Sequence, residues 1–198
     1  VEITPIPDEA AREAALLGGE TDWLWSVPPQ SVESFRENND VVVGTSPDLS
    51  FNYMGFNLNR EPFDDVRVRQ AIAMALNRQE IVDAALFGFG TPLQEPVGPG
   101  LPEFKFGYSP YDQDIEAAQA LLDDAGLGDG FEMELMPNQA APEMIRAAQV
   151  IQQQLQAINI EASVFAPEVG EWLDRQASGE FDTFMWAWVV LIDPDQYY

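Results

Sequence analysis

The chain has 198 residues, and its formal net charge is −25 because 34 Asp and Glu residues face only nine Lys and Arg residues. A surface this acidic repels the phosphates of nucleic acids and anionic lipid headgroups, which argues against direct binding to either. Hydrophobic residues make up 46% of the chain, so the acidity does not indicate disorder. Dense carboxylates with a single lysine, Lys105, instead predict a halophilic protein, since dissolved salt screens the self-repulsion.

The absence of His and Cys excludes several kinds of chemistry. A Ser–His–Asp or Cys–His catalytic set and a zinc site of the usual kind need residues that this chain does not have. Asp112, Asp114 and Glu116 match no calcium-binding loop and have the positions expected at the start of a helix. We therefore predict no catalytic residue, no metal site and no cofactor. No apolar run approaches the roughly 20 residues that span a membrane as a helix.

Hydrophobic periodicity predicts the elements of the first half of the chain. In chain order they are a strand at 1–6, a helix at 8–17, a strand at 21–27, a short helix at 31–37, strands at 40–47 and 50–58, and helices at 66–76 and 79–87. Asp64 and Asp65 are the candidate N-caps of the helix at 66–76. A long loop rich in Pro and Gly follows at 88–104.

The second half of the chain alternates helices and strands. Helices are predicted at 114–125, at 142–158 and at 169–177, and strands at 131–136, 160–165 and 181–190. Such an αβαβαβ order favours an α/β architecture, in which helices pack on a sheet.

Two pairs of tryptophans are candidate ligand-binding residues. Trp23 and Trp25 are two positions apart, as are Trp186 and Trp188, so each pair would point to one face of a predicted strand. Each pair lies before a break marked by proline. Burial in a core explains such pairs about as well, because aromatic rings bury large areas. On the functional interpretation they are flat walls that stack on sugars or on peptide side chains.

One long segment, residues 50–100, reads SFNYMGFNLNREPFDDVRVRQAIAMALNRQEIVDAALFGFGTPLQEPVGPG. It resembles the family 5 extracellular solute-binding proteins, which are the peptide, oligopeptide and nickel binding components of ABC importers. The matching positions are Phe56-Asn57, Pro62-Phe63, Asp65-Val66-Arg67, Arg69, Ala71-Ile72 and Ile81-Val82. Similar segments upstream and downstream extend the resemblance over nearly the whole chain.

The resemblance implies a periplasmic-binding-protein-like lobe of type II, with a mixed sheet flanked by helices. Such proteins have two lobes that close on a ligand like a hinge. One lobe is inserted into the other, so residues 1–44 would be the last segment of lobe 1 and the crossover. Residues 45–185 would be the inserted lobe 2, and residues 186–198 the return crossover strand. The chain would then be a fragment of a longer protein.

The resemblance also implies where a ligand binds. In peptide-binding relatives, an Asp just after the crossover anchors the α-ammonium group of the peptide, and here Val190 or Leu191 takes that position. Asp193 is the candidate substitute for the missing anchor. The predicted ligand-binding residues are Trp186, Trp188, Val190, Asp193, Trp23 and Trp25.

The function implied by the resemblance is ligand capture without catalysis, most directly in peptide or oligopeptide uptake. Partners would be a peptide or small-molecule ligand and ABC permease subunits. The protein would be an extracellular or periplasmic monomer, held at the membrane through a lipid anchor of the full-length protein. Three alternatives stay open: an oligosaccharide-binding importer component, a sensor domain with the same fold, and a glycan-active enzyme that uses Asp193 and Asp195.

The arginines of the matching segment invite a separate explanation in so acidic a chain. Arg67 and Arg69 are two positions apart on a predicted helix, so they diverge by about 200° and cannot form one basic patch. We therefore expect structural roles, in which Asp65 caps the helix and the arginines bind backbone carbonyls or carboxylates.

Overall fold

The computed structural model describes residues 1–46, 50–94 and 111–188. The chain divides into two compact units, Val1–Ser46 and Pro47–Tyr198. The assignment of residues 1–44, 45–185 and 186–198 to two lobes and their crossovers stays a prediction. The loop predicted at 88–104 lies largely outside the described residues.

The first unit is built on two helices. Helix α1 spans Glu9–Leu17 and helix α2 spans Val32–Glu37, with a 3-10 turn at Pro29–Ser31 just before α2. Asp8 caps α1, because its carboxylate accepts a hydrogen bond of 2.8 Å from the Ala11 amide. Both helices and this cap agree with the prediction from the sequence.

The strands predicted at 1–6, 21–27 and 40–47 are wrong, since residues 1–46 contain no strand. Alternating side chains indicate an extended backbone, but a strand also needs a neighbour that pairs with its N–H and C=O groups. Within residues 1–46 no such neighbour pairs with these segments. Pro5 and Pro7 also remove backbone donors next to the first of them.

The second unit alternates helices and strands after residue 114, as predicted. Its elements are β1 Phe51–Phe56, α3 Val66–Ala75, α4 Arg78–Leu86, α5 Ile115–Asp124, β2 Glu132–Pro137, α6 Pro142–Leu155, β3 Glu161–Val164, α7 Val169–Ser178 and β4 Thr183–Trp188. The four strands form one mixed sheet in the order β1-β4-β2-β3. Strand β2 is parallel to β3 and to β4, whereas β1 is antiparallel to β4. None of the helices within the described ranges has the length and apolarity needed to cross a membrane.

The core lies on both faces of this sheet, because successive strand residues point to opposite faces. On one face, Leu135 and Met185 belong to the large core formed with α3, α5 and α6. On the other face, Met136 and Trp172 belong to a smaller cluster under α7, with Phe184 packed against it. The second face is therefore covered by one helix only, as far as the described residues show.

The arginines of α3 have the structural roles expected from the sequence. Asp65 caps α3, because its carboxylate accepts a hydrogen bond of 2.8 Å from the Arg67 amide. The Arg67 guanidinium pairs with that carboxylate and also donates to the Asp124 carbonyl at 2.6 Å. Arg69 donates to the Phe63 carbonyl at 2.7 Å. These contacts join α3 to the end of α5 and to the turn before α3.

Candidate functional site

One face of the β1–β4 pair carries a row of aromatic side chains. Phe51 and Tyr53 of β1 share it with Phe184, Trp186 and Trp188 of β4, because strand residues two positions apart lie on one face. The register places Phe51 opposite Trp188 and Tyr53 opposite Trp186. These five residues are called the aromatic strip below. The predicted pair Trp186 and Trp188 thus belongs to a surface that two strands build together.

A glycine explains how the inner end of the strip packs. Gly55 is opposite Phe184 in the register. A Cβ atom at Gly55 would lie 2.5 Å from the Phe184 ring, so the glycine leaves the space that this ring fills. Tyr53 meets the same ring edge-on, with centroids 5.7 Å apart. Cross-strand packing of this kind is what stabilises aromatic residues in strands.

Trp172 of α7 supports the strip from the core. It is 1% exposed, and its indole Nε1 donates a hydrogen bond of 3.1 Å to the Met136 carbonyl. Its ring stacks on Trp186 with centroids 4.7 Å apart and planes 28° apart. It also meets Phe184 edge-on at 5.8 Å. The hydrogen bond and the two ring contacts fix the Trp172 indole, so Trp186 packs against an ordered ring.

The outer part of the strip is open to solvent and has no ionised side chain. Trp186 is 37% exposed and Trp188 is 41% exposed. Burial raises the pKa of the Tyr53 phenol above its usual value, so the hydroxyl stays protonated at neutral pH. Flat, uncharged and partly exposed rings are suited to stacking on other rings and to covering apolar parts of a ligand.

The other predicted site residues are placed differently. Trp23 and Trp25 lie in the first unit, where they are 68% and 87% exposed. They contact each other edge-on, with centroids 5.7 Å apart and planes at 87°. The prediction that they share one face of a buried strand is wrong, because the backbone there forms no strand. Their ligand role stays a prediction, and Val190 and Asp193 lie outside the described residues.

Sequence reasoning missed Phe51, Tyr53 and Trp172 as neighbours of the tryptophan pair. A signal existed for Phe51 and Tyr53, because they alternate in a predicted strand just as Trp186 and Trp188 do. No local signal indicates that Trp172 stacks on Trp186, since that contact depends on how α7 lies across the sheet.

The acidic residues before α5 have the helix-start role expected from the sequence. Asp114 caps α5, because its carboxylate accepts a hydrogen bond of 2.9 Å from the Ala117 amide. Asp112 accepts a hydrogen bond of 2.6 Å from the Gln94 side chain. In the part of the chain that the structure describes, no group of three or more acidic side chains is arranged to hold a metal ion.

A shallow groove lies beyond the carboxyl ends of β2 and β3. Its lining residues are Gln139, Ala140, Glu168, Val169 and Gly170. The Gln139 amide donates a hydrogen bond of 3.2 Å to the Pro167 carbonyl, which joins the two sides of the groove. Open α/β sheets bind ligands beyond the carboxyl ends of their strands, so this groove is a second candidate surface.

Comparison with known proteins identifies relatives of the chain. Residues 1–198 match the family described as bacterial extracellular solute-binding proteins, family 5 Middle, which confirms the resemblance drawn from the motifs. The dipeptide-binding protein of Escherichia coli (strain K12) is 31% identical over 197 residues, which are 97% of this chain and 37% of that protein. The chain therefore spans little more than a third of the length of that relative.

Solved structures confirm the predicted fold class. DppA from Helicobacter pylori, an ABC transporter-associated periplasmic binding protein in complex with the peptide STSA, has a TM-score of 0.86 and 27% identity, over 97% of this chain and 37% of that one. AppA, the oligopeptide-binding protein from Bacillus subtilis in complex with a nonapeptide, has a TM-score of 0.82 and 28% identity, over 97% of this chain and 41% of that one. The mixed α/β unit is thus a periplasmic-binding-protein lobe.

Proposed function

We propose that this chain forms part of a protein that captures peptides for an ABC importer. The premise is that the chain belongs to the family 5 bacterial extracellular solute-binding proteins. The observation that carries the proposal is the likeness to two solved relatives that hold peptides, at TM-scores of 0.86 and 0.82. The relatives named above are binding proteins and not enzymes. Capture without catalysis is accordingly part of the proposal.

The proposal includes a two-lobed arrangement with hinge closure. Residues 1–44 would complete lobe 1 and lead into the crossover, residues 45–185 would form the inserted lobe 2, and residues 186–198 would return toward lobe 1. Closure of the lobes would exclude water from the ligand, which strengthens each polar contact inside.

Within this arrangement the aromatic strip is the ligand wall contributed by lobe 2. Trp186 and Trp188 supply partly exposed rings at the end of β4, and the chain continues from there to Val190 and Asp193. Asp193 would bind the ammonium group of the peptide in place of the missing anchor. Trp23 and Trp25 would contribute from the other lobe.

The proposal also covers where the protein acts. Family 5 proteins act outside the cytoplasmic membrane, so the protein would work at the cell surface or in a periplasm, as a monomer that delivers its ligand to permease subunits. A lipid anchor in the full-length protein would hold it there. The strongly acidic composition, with 34 Asp and Glu residues, supports a saline environment.

The aromatic strip also supports a second candidate ligand class, the oligosaccharides, because sugars stack on exposed tryptophan rings. Tryptophan fluorescence of the full-length protein in molar salt separates the classes. Peptides, oligosaccharides and metal chelates are titrated in turn, with a catalytic turnover assay on a glycan panel beside them. A saturable shift with peptides is expected. A response to sugars alone would indicate an oligosaccharide-binding importer component. Turnover of a glycan would contradict a purely binding role.

A further inference from the structure

We propose that the aromatic strip selects peptides with an aromatic side chain, and that Trp172 is the positioning residue that holds Trp186 in place for this contact. The inference rests on the proposed peptide binding and adds the ligand class. It follows from three observations: the way Trp186 is supported, the bracing of its neighbours, and the charge of the surface.

The support leaves one side of Trp186 available to a ligand. Trp172 stacks on one face of the Trp186 ring at a centroid distance of 4.7 Å, and Trp172 itself is 1% exposed. Trp186 nevertheless stays 37% exposed, so part of it is open to a ligand. A flat ring of the ligand would extend a stack that the protein has already begun.

The neighbouring rings brace this stack. Trp172 is fixed by its hydrogen bond to the Met136 carbonyl and by its contact with Phe184. Phe184 in turn meets Tyr53 at 5.7 Å, and Tyr53 is opposite Trp186 in the register. Because folding has already ordered these side chains, a ligand ring that stacks on Trp186 loses little further conformational entropy.

Charge decides which ligand side chain gains from the strip. Its five side chains are uncharged at neutral pH, so they offer no counter-charge to an acidic or basic ligand group. The net charge of −25 repels an acidic side chain in addition. In molar salt both this repulsion and the attraction of the acidic surface for a basic side chain are screened within about 3 Å, whereas stacking is not. An aromatic side chain of the ligand therefore gains the most binding free energy from the strip.

The test uses the full-length protein and tripeptides of the form Ala-X-Ala, with X as Ala, Leu, Phe, Trp, Asp or Lys. Calorimetric titration in molar KCl gives a dissociation constant for each peptide. The Phe and Trp peptides are expected to bind more tightly than the Ala peptide by roughly 2- to 12-fold, the range for one added aromatic pair. The ratio of the two constants is the measured selectivity.

Three variants assign that selectivity to residues. Trp186→Ala is expected to bring the ratio close to one, because the ring on which the ligand side chain stacks is gone. Trp172→Phe keeps a buried ring but loses the hydrogen bond to Met136, and it is expected to lower the ratio without weakening the Ala peptide. Leu173→Ala is the matched control, because Leu173 is the next residue of α7 and is 51% exposed. It should keep the wild-type ratio.

Each outcome decides the inference. Equal affinities for the Phe and Ala peptides, or tightest binding of the Lys peptide, would overturn the selectivity and leave the proposed function standing. A wild-type ratio in Trp172→Phe would overturn the positioning role. Binding of none of the peptides would overturn the proposed function and the inference together. Because a ratio compares two ligands on one protein, a partly unfolded sample does not change it.

Discussion

Replacing Asn57 with Asp tests how the edge strand β1 is held to the rest of the sheet. Asn57 is 8% exposed, and its Nδ2 group donates hydrogen bonds of 3.0 Å each to the carbonyls of Gly179 and Phe181. Those carbonyls lie between α7 and β4, so one side chain joins the end of β1 to the start of β4. Asn57→Asp keeps the shape of the side chain and removes both donors.

The expected loss of unfolding free energy is about 3–5 kcal/mol at neutral pH. Two hydrogen bonds contribute about 1 kcal/mol each, and the carbonyl oxygens left without a donor add about 1–3 kcal/mol. The new carboxylate would face two carbonyl oxygens, so its pKa in the folded state rises above the unfolded value of about 3.9. The loss of unfolding free energy is therefore complete above the folded pKa of this carboxyl group. It shrinks as pH falls from there toward the unfolded pKa.

Urea unfolding followed by tryptophan fluorescence measures this loss at neutral pH and at about pH 4, near the unfolded pKa. Asn59→Asp is the matched control, because it adds the same charge two residues away on an exposed side chain. We expect the control to stay near the wild type at both pH values. Equal unfolding midpoints for the two variants would refute the reasoning, since the charge alone would then explain the effect.

Three further predictions concern stability. Gly130→Ala is expected to lower the unfolding midpoint strongly, because its φ is 83° and a Cβ atom would overlap the Asn159 carbonyl. Gly126→Ala has a φ of 77° but open space, so it should show only the left-handed strain of about 1 kcal/mol. The pKa of Asp65 is lowered, above all by the hydrogen bond from the Arg67 side chain. The ionised Asp65 therefore stabilises the fold fully above the unfolded pKa of about 3.9, and this stabilisation is lost as pH falls through the folded pKa. Asp65→Asn keeps a capping oxygen and should unfold more easily than the wild type at neutral pH but equally at low pH; a constant difference would count against the ion pair. Finally, a net charge of −25 predicts a melting temperature that rises from dilute buffer to molar KCl, and a flat curve would contradict it.

The second unit shows what periodicity predicts well. The spacing of apolar residues in α6 gives buried Met144, Ala148, Ile151 and Leu155 on one side of that helix, as the pattern requires. The caps of α3 and α5 follow from local chemistry, because Asp65 and Asp114 directly precede the helices that they cap. These features depend on neighbours in sequence, and a sequence reports such neighbours directly.

The first unit and the aromatic strip show what periodicity does not predict. The segment at 21–27 alternates like a strand, yet the missing pairing partner leaves Trp25 87% exposed. The strip depends on the pairing of β1 with β4 in the register that sets Tyr53 opposite Trp186, more than 100 residues apart in the sequence. Alternation indicated which side chains share a face of one strand, but the choice of the neighbouring strand is a tertiary property.

Most arginines in the described ranges donate hydrogen bonds to backbone carbonyls. Arg67 reaches the carbonyl of Asp124 at the last residue of α5, and Arg146 reaches that of Ala85 in the last turn of α4 at 2.9 Å. Both satisfy carbonyls that a helix end leaves unpaired, at the negative end of its dipole. Arg78 donates a hydrogen bond of 2.8 Å to the Tyr111 carbonyl. Burial lowers the pKa of Arg78 from its usual value, but the guanidinium stays charged and keeps this bond at any physiological pH. Short bonds to carbonyls depend less on ionic strength than exposed ion pairs do, so the same contacts would hold the lobe together in the saline surroundings that its composition predicts.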